Sequence, residues 1–190
     1  MPGAGKTLYL GATATYGSSI KAGTYTPAFT IDVNYDSRTP TSFPQTADIG
    51  FDIPLSIDTV ADVNIGHVKA ITTGTYVIDT TGNVTASGGG QWLNGPTRAG
   101  NLLIHGSATQ TISISAGSYV NGGISTGVKP TAATCSYNGG AAAACTLSTQ
   151  AAPTAAGKTL LLGVTVTISN TKQTDGTTAT PSFTVTVTYS

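Results

Sequence analysis

Apolar and polar residues alternate along much of this chain, most clearly towards its C-terminal end. One alternating segment has its apolar positions at Phe183, Val185, Val187 and Tyr189, with threonines between them. The segment before it has apolar residues at Leu160, Leu162, Val164, Val166 and Ile168. Successive side chains of a strand point to opposite faces of its sheet. The pattern therefore predicts two half-buried strands of antiparallel sheet.

Shorter alternating runs fill the middle of the chain, and Gly, Asn and Pro separate them at close spacing. The predicted strands are residues 53–57, 60–65, 75–79, 83–86, 102–105 and 111–115. No segment has a sustained helical period. Short strands separated by turn residues are typical of a β-sandwich. We therefore predict an all-β fold, an antiparallel sandwich of the Ig-like or pilin-like kind.

Two segments near the N-terminus of the chain recur near its C-terminus. AGKTLYLGATAT (4–15) matches AGKTLLLGVTVT (156–167) at nine of twelve positions, and TPAFTIDVNY (26–35) matches TPSFTVTVTY (180–189) at six of ten. A repeat of paired strands is an architectural signal. It predicts an N-terminal β-hairpin, residues 1–36, that duplicates the C-terminal hairpin of a sandwich domain at 47–190. Residues 37–46 contain two prolines without alternation, which favours a linker.

The predicted N-terminal hairpin has an apolar face with no sandwich of its own to cover. Its members are Leu8, Leu10, Phe29, Ile31, Val33 and Tyr35. Because an isolated two-stranded hairpin is marginally stable, this face must pack against something. Two arrangements stay open. The hairpin belongs to a preceding tandem domain, or it completes a sheet in another copy by β-strand addition. In either case these six residues are the predicted assembly interface.

Composition narrows the choice of partners. Only 8% of the residues are charged, the acidic and basic residues balance at eight each, and every acidic residue is Asp. A chain without a basic patch offers no electrostatic footprint for nucleic acid. No apolar run is long enough to span a bilayer, so membrane insertion is not expected. Thr is the commonest residue, and it suits the wet face of a strand.

The only two cysteines bracket a turn sequence. Cys135 and Cys145 flank Asn138-Gly139-Gly140, a tight-turn sequence that would bring the flanking strands together. We expect a disulfide of an oxidising compartment, with a pair of free buried thiols as the alternative. Closing so short a loop would stabilise the fold by about 3 kcal/mol.

Motifs that could carry chemistry have simpler interpretations. Gly5-Lys6-Thr7 resembles the end of a phosphate-binding loop, but it lacks the upstream glycine and precedes a strand. A turn is the better interpretation. His67 and His105 have no nucleophile nearby in sequence, so we predict no catalytic residues and no enzyme activity. No cofactor is expected.

Six of the eight aspartates lie close together in sequence, at Asp32, Asp36, Asp48, Asp52, Asp58 and Asp62. Calcium binds several carboxylate oxygens, but the spacing of a calcium loop is missing. Solvated strand edges and turns are the preferred interpretation, and no metal site is predicted.

Trp92 is the only tryptophan, and it lies in the glycine-rich sequence GGGQWLNG. An exposed indole could be a platform on which a sugar ring stacks. The preferred interpretation is that Trp92 closes one end of the sandwich, against Leu93 and the strand at 102–104.

Three stretches resemble a bacterial secreted family, domain-of-unknown-function family 4402. IPLSIDTVADVNIG (53–66) is similar to the family's opening motif, although it has Val63-Asn64-Ile65-Gly66 where the family often has Leu-Asn-Phe-Gly. The two C-terminal strands resemble its closing signature, and the turn between the cysteines resembles a variant of the family. The resemblance implies a fimbria-like surface β-sandwich, akin to spore-coat and Mat-type pilin proteins, and supplies no catalytic residues.

These observations together predict a structural subunit of an extracellular filament or fimbria-like surface polymer. It would be secreted to the cell surface and assembled with other copies of itself through residues 6–35. The alternative is a carbohydrate-binding adhesin domain that holds a surface glycan on Trp92.

Overall fold

The chain forms two compact units, Met1–Phe51 (unit 1) and Asp52–Ser190 (unit 2). The computed structural model describes residues 7–15, 17, 21, 23–33, 41–123 and 127–190. These residues form β-strands and no helix, and every strand pairing is antiparallel. The predicted all-β class is confirmed.

Four strands lie in unit 1: β1 (Gly23–Tyr25), β2 (Ala28–Val33), β3 (Thr41–Thr46) and β4 (Ile49–Phe51). Unit 2 contains β5 (Ser56–Ala61), β6 (His67–Val68), β7 (Gly74–Ile78), β8 (Val84–Ser87), β9 (Trp92–Asn94), β10 (Gly100–His105), β11 (Ile112–Val120), β12 (Val128–Tyr137), β13 (Ala143–Ala144), β14 (Thr146–Gln150), β15 (Lys158–Ile168) and β16 (Ser182–Tyr189).

Unit 1 contains a two-part ribbon that the sequence did not predict. β2 pairs with β3, β1 pairs with β4, and Tyr25 meets Phe51 edge to face at 5.6 Å. The predicted linker at 37–46 is therefore wrong for residues 41–46, which form β3. Pro44 is compatible with a strand that has a neighbour on one side only, and Phe43 is the one large apolar residue there, which leaves no visible alternation. The predicted pairing of residues 8–15 with 28–33 is not observed.

A seven-stranded sheet is the larger layer of unit 2. Its main path runs β13-β12-β15-β10-β5. The eleven-residue strand β15 lies at its centre, with β12 along one side. On its other side, β10 pairs with the first half of β15, and β7, which also pairs with β8, pairs with the second half. The length of β15 thus allows three strands, β12, β10 and β7, to pair with it in one sheet.

The smaller layer has three strands, in the order β14-β11-β16. β15 and β16 were predicted as a hairpin, and that pairing is wrong: β15 lies in the large sheet and β16 in the small one. Residues 169–181 between them cross from one layer to the other. Unit 2 is therefore a β-sandwich in which the C-terminal copy of the repeat supplies one strand to each layer.

The core lies between the two sheets and follows the predicted alternation. The five apolar residues of β15 predicted on one face are all buried. They pack with Leu102, Ile104, Ile112 and Ile114 and with the half-buried apolar residues of β16. A second, smaller cluster around Tyr76 and Ile78 covers the far half of β15. The strand termini predicted for β7, β8 and β10 lie within two residues of those observed, whereas β11 continues to Val120, five residues beyond its predicted end.

The predicted strands at 53–57 and 60–65 are in fact one strand, β5, centred between them. Pro54 interrupts the first run, and a strand cannot pair through a proline on its hydrogen-bonding side.

The disulfide between Cys135 and Cys145 is confirmed. Asn138 and Gly139 both have positive φ (49° and 76°), and the Gly140 N–H donates to the Tyr137 carbonyl. Two positive φ angles define a type I′ turn, which the Asn-Gly sequence favours. The disulfide links β12, which contains Cys135, to the residue that follows β13. Both cysteines are buried in the core.

Candidate assembly surface

The described residues in the first segment of the repeat lie open to solvent. Residues 7–15 form no strand, and every one of them is exposed. Leu8 is 65%, Tyr9 91% and Leu10 53% exposed. Their counterparts in β15 are buried or half-buried in the sandwich. Nearly the same sequence is therefore core in one place and surface in the other.

The second part of that copy lies on the unit 1 ribbon. Phe29 and Ile31 share one face of β2, and the register places Phe43 of β3 beside Ile31. Phe29 and Phe43 are exposed and Ile31 is half-buried. Val33 is the last residue of β2, and the predicted interface residues Lys6 and Tyr35 lie outside the described residues. None of the described residues of unit 1 is a buried hydrophobic residue.

A polar network fixes the end of β16 in unit 2. The Tyr189 hydroxyl accepts a hydrogen bond from the Ser107 N–H at 2.7 Å and donates one to the Ile53 carbonyl. The Ser107 and Thr109 hydroxyls both donate to the Asp52 carboxylate at 2.6 Å. The bond from Ser107, followed by that from Thr109, lowers the pKa of Asp52. Sequence patterns did not reveal this network, because its members are far apart in the chain.

Trp92 lies on β9 and takes part in neither core cluster. Its indole N–H donates to the Ile65 carbonyl at 2.9 Å, and its side chain is 38% exposed. Leu93, expected to bury it, is itself exposed. The indole therefore has a fixed orientation and a partly open ring.

The described aspartates do not form one cluster, and those with side-chain contacts have different partners. Asp32 accepts a bond from the Ser42 hydroxyl, and Asp52 belongs to the network above. Asp58 lies 3.1 Å from His105 Nε2, whose other ring nitrogen is 3.0 Å from the Ala155 carbonyl. Within the part of the chain that the structure describes, no three His, Cys or Asp side chains converge as metal ligands do.

The second GKT sequence lies at the entry to β15. Gly157 has a φ of +86°, and its N–H donates to the Thr154 carbonyl, so a turn leads directly into the strand. This agrees with the turn interpretation. In the first copy, Gly5 and Lys6 lie outside the described residues.

No protein family, curated protein or solved structure matches this chain. Among the described residues, no helix is long and apolar enough to cross a membrane. The disulfide is typical of proteins outside the reducing cytoplasm.

Proposed function

We propose that this protein is a structural subunit of an extracellular bacterial filament or fimbria-like surface polymer, in which residues 6–35 of one copy pack against another copy. One observation carries the proposal. Residues 7–15, from the first copy of the repeat, are exposed and form no strand, whereas the equivalent segment of the second copy is β15, whose apolar residues are buried in the sandwich.

Burial energetics support an intermolecular role for the first copy. Covering one large apolar side chain stabilises a structure by about 1.5–3 kcal/mol. Leu8, Tyr9, Leu10 and Phe29 are all exposed, so an assembly that covers them gains on the order of several kcal/mol from these side chains. Such a contact joins two different surfaces of identical subunits. Repeated from copy to copy, it gives a ring if the rotation between subunits closes and an open fibre if it does not.

Composition and cysteine chemistry support the extracellular setting. The disulfide suits an oxidising compartment. A chain with 8% charged residues meets little electrostatic repulsion when copies pack closely.

The test is the assembly state of the full chain. Purified protein at increasing concentration is followed by light scattering and viewed by electron microscopy, beside the double variant Leu8→Asp/Leu10→Asp. We expect filaments or growing oligomers from the wild type, and monomers with unchanged melting from the variant. Thr13→Asp is the matched control: it adds a charge to the same exposed segment, on the other side of the alternation. A wild type that stays monomeric at every concentration would overturn the proposal.

The partly open, fixed ring of Trp92 favours a second candidate, a carbohydrate-binding adhesin domain. Aromatic side chains with one wet face are suited to stacking against ligands. Glycan-array binding that is lost in Trp92→Ala, by a protein that never assembles, would favour this candidate over the polymer.

A further inference from the structure

The small sheet of unit 2 ends in an unprotected edge. β16 pairs with β11 on one side, and among the described residues no strand pairs with its other side. No backbone hydrogen bond from the described residues reaches that outer side. β16 is eight residues long and contains neither proline nor charge. Natural edge strands are usually shortened, charged or bulged because a bare edge recruits another strand.

Burial along the sandwich leaves room for another strand beside β16. The core-facing residues of β16 are only half-buried, whereas those of β15 are fully buried. In the large sheet, Ile57 of β5 pairs with the buried Ile104 and shares its face, yet Ile57 is 39% exposed. The apolar face of the large sheet therefore extends beyond the area that the small sheet covers.

The two sheets differ in their number of strands. β13 and β14, at one margin, are separated only by Cys145. At the other margin, Tyr189 of β16 bonds to Ile53, just ahead of β5. Five strands on the path of the large sheet face three in the small one. A fourth strand in the small sheet would lie beyond β16, on the side of β5.

We propose that residues 7–15 of a second copy add to the free edge of β16 and complete the small sheet. This inference rests on the proposed function and names the surface that receives the segment. The segment has the alternation that the place requires, with Leu8, Leu10, Ala12 and Ala14 on one face. It is the matching unpaired partner, because within its own chain it is exposed and forms no strand.

The alternative receiving place, the position of β15 itself, fits the segment poorly. Val164 and Val166 are buried, and the first copy has Ala12 and Ala14 there, which would leave cavities. The β15 of each domain also fills its own place already. Addition at an edge needs no such replacement.

Cysteine cross-linking between two single variants tests the edge. Protein carrying Thr186→Cys, on the exposed face of β16, is mixed with protein carrying Tyr9→Cys, Gly11→Cys or Thr13→Cys and oxidised mildly. We expect a disulfide-linked dimer in at least one mixture. The control replaces Thr186→Cys by Thr85→Cys, an exposed threonine on the edge strand β8. The yield with Thr186→Cys should be at least tenfold higher.

The outcomes separate the edge from the polymer. If the wild type assembles but the two yields are equal, the edge inference is wrong and the proposed function stands. A wild type that stays monomeric overturns both. In a protein carrying both cysteines, a bond formed only within one chain would overturn the role of a second copy.

A glycine substitution separates the two receiving places. A Cβ at Gly163 of β15 would lie 2.4 Å from Thr134 Oγ1 and 2.6 Å from the Ile78 carbonyl oxygen. A segment that took the place of β15 would need a glycine at the equivalent Gly11. Gly11→Ala should therefore assemble as the wild type does. Loss of assembly in Gly11→Ala, with unchanged melting, would overturn edge addition.

Discussion

The hydroxyl of Tyr189 joins three distant parts of unit 2 through its bonds to Ser107 and Ile53. Ser107 is buried, so its N–H has no access to water when the hydroxyl is removed. Leaving a buried donor unsatisfied costs about 1–3 kcal/mol. This network, at the residue scale, holds the last strand of the small sheet against the segment that leads into β5.

Tyr189→Phe should therefore lower the free energy of unfolding by about 1–3 kcal/mol, since the ring still packs and only the bonds are lost. Urea unfolding monitored by circular dichroism gives the value. Tyr119→Phe is the control, because the Tyr119 hydroxyl has no hydrogen-bond partner among the described residues. Equal effects of the two variants would mean that the network adds no stability.

Asp79 stabilises the turn between β7 and β8. Its carboxylate accepts hydrogen bonds from the Thr81 hydroxyl and from the backbone N–H groups of Thr81 and Asn83. The bond from the Thr81 hydroxyl is the largest cause that lowers the pKa of Asp79 from 3.8 to about 2. The folded chain thus holds the ionised form at a pH where the unfolded chain binds a proton.

The contribution of Asp79 should be complete while the unfolded group is also ionised, above about pH 4. It should fade as the pH falls towards 2, where the folded group binds a proton as well. Asp79→Ala should be less stable than the wild type at pH 6, with a gap that narrows by pH 2. Urea midpoints across this range measure the gap. Asp175→Ala, at an exposed carboxylate between β15 and β16, is the control. A gap that stays constant with pH would contradict the assignment.

At the scale of elements, period-2 patterning identified β15 and β16 almost to the residue, because each buries one face. It did not identify their partners. Alternation states which face is buried and leaves open which strand lies beside it, so two strands of different sheets were taken for a hairpin. β3 was missed because it lies in a ribbon that buries little surface. A strand with both faces exposed needs no alternation of apolar and polar residues, so its sequence has no period-2 pattern.

The close approach at Gly163 tests how β15 holds its neighbours. β7 and β10 pair with the same side of β15, and Gly163 lies where one gives way to the other. Gly163→Ala should destabilise unit 2 by about 1–3 kcal/mol, because the Ile78 carbonyl must move to admit a methyl group. Its repeat equivalent is a natural control, since a Cβ at Gly11 meets nothing within 4 Å. The melting temperatures of the two variants test this prediction. Equal melting temperatures would contradict the close packing around Gly163.

For the whole molecule, the candidate surface was partly predictable. The repeat and the exposed apolar residues Leu8, Leu10 and Phe29 were visible in sequence. The free edge of β16 was not, because whether a strand lies at an edge depends on the order of strands in a sheet. That order is set by contacts between residues far apart in the chain, such as β11 with β16.

The division at Phe51 leads to the last prediction, which concerns the independence of the two units. All the residues of both core clusters, and the disulfide, lie in unit 2. A fragment of residues 52–190 should therefore fold with nearly the melting temperature of the full chain, and it should stay monomeric because it lacks the segment proposed to pair with a neighbour. Calorimetry and light scattering measure the two properties.

Adding full-length protein to the fragment should produce mixed assemblies, since the fragment keeps the edge of β16. A fragment that melts far below the full chain would show that residues 1–51 belong to the core, and a fragment that assembles alone would show that they do not carry the interface.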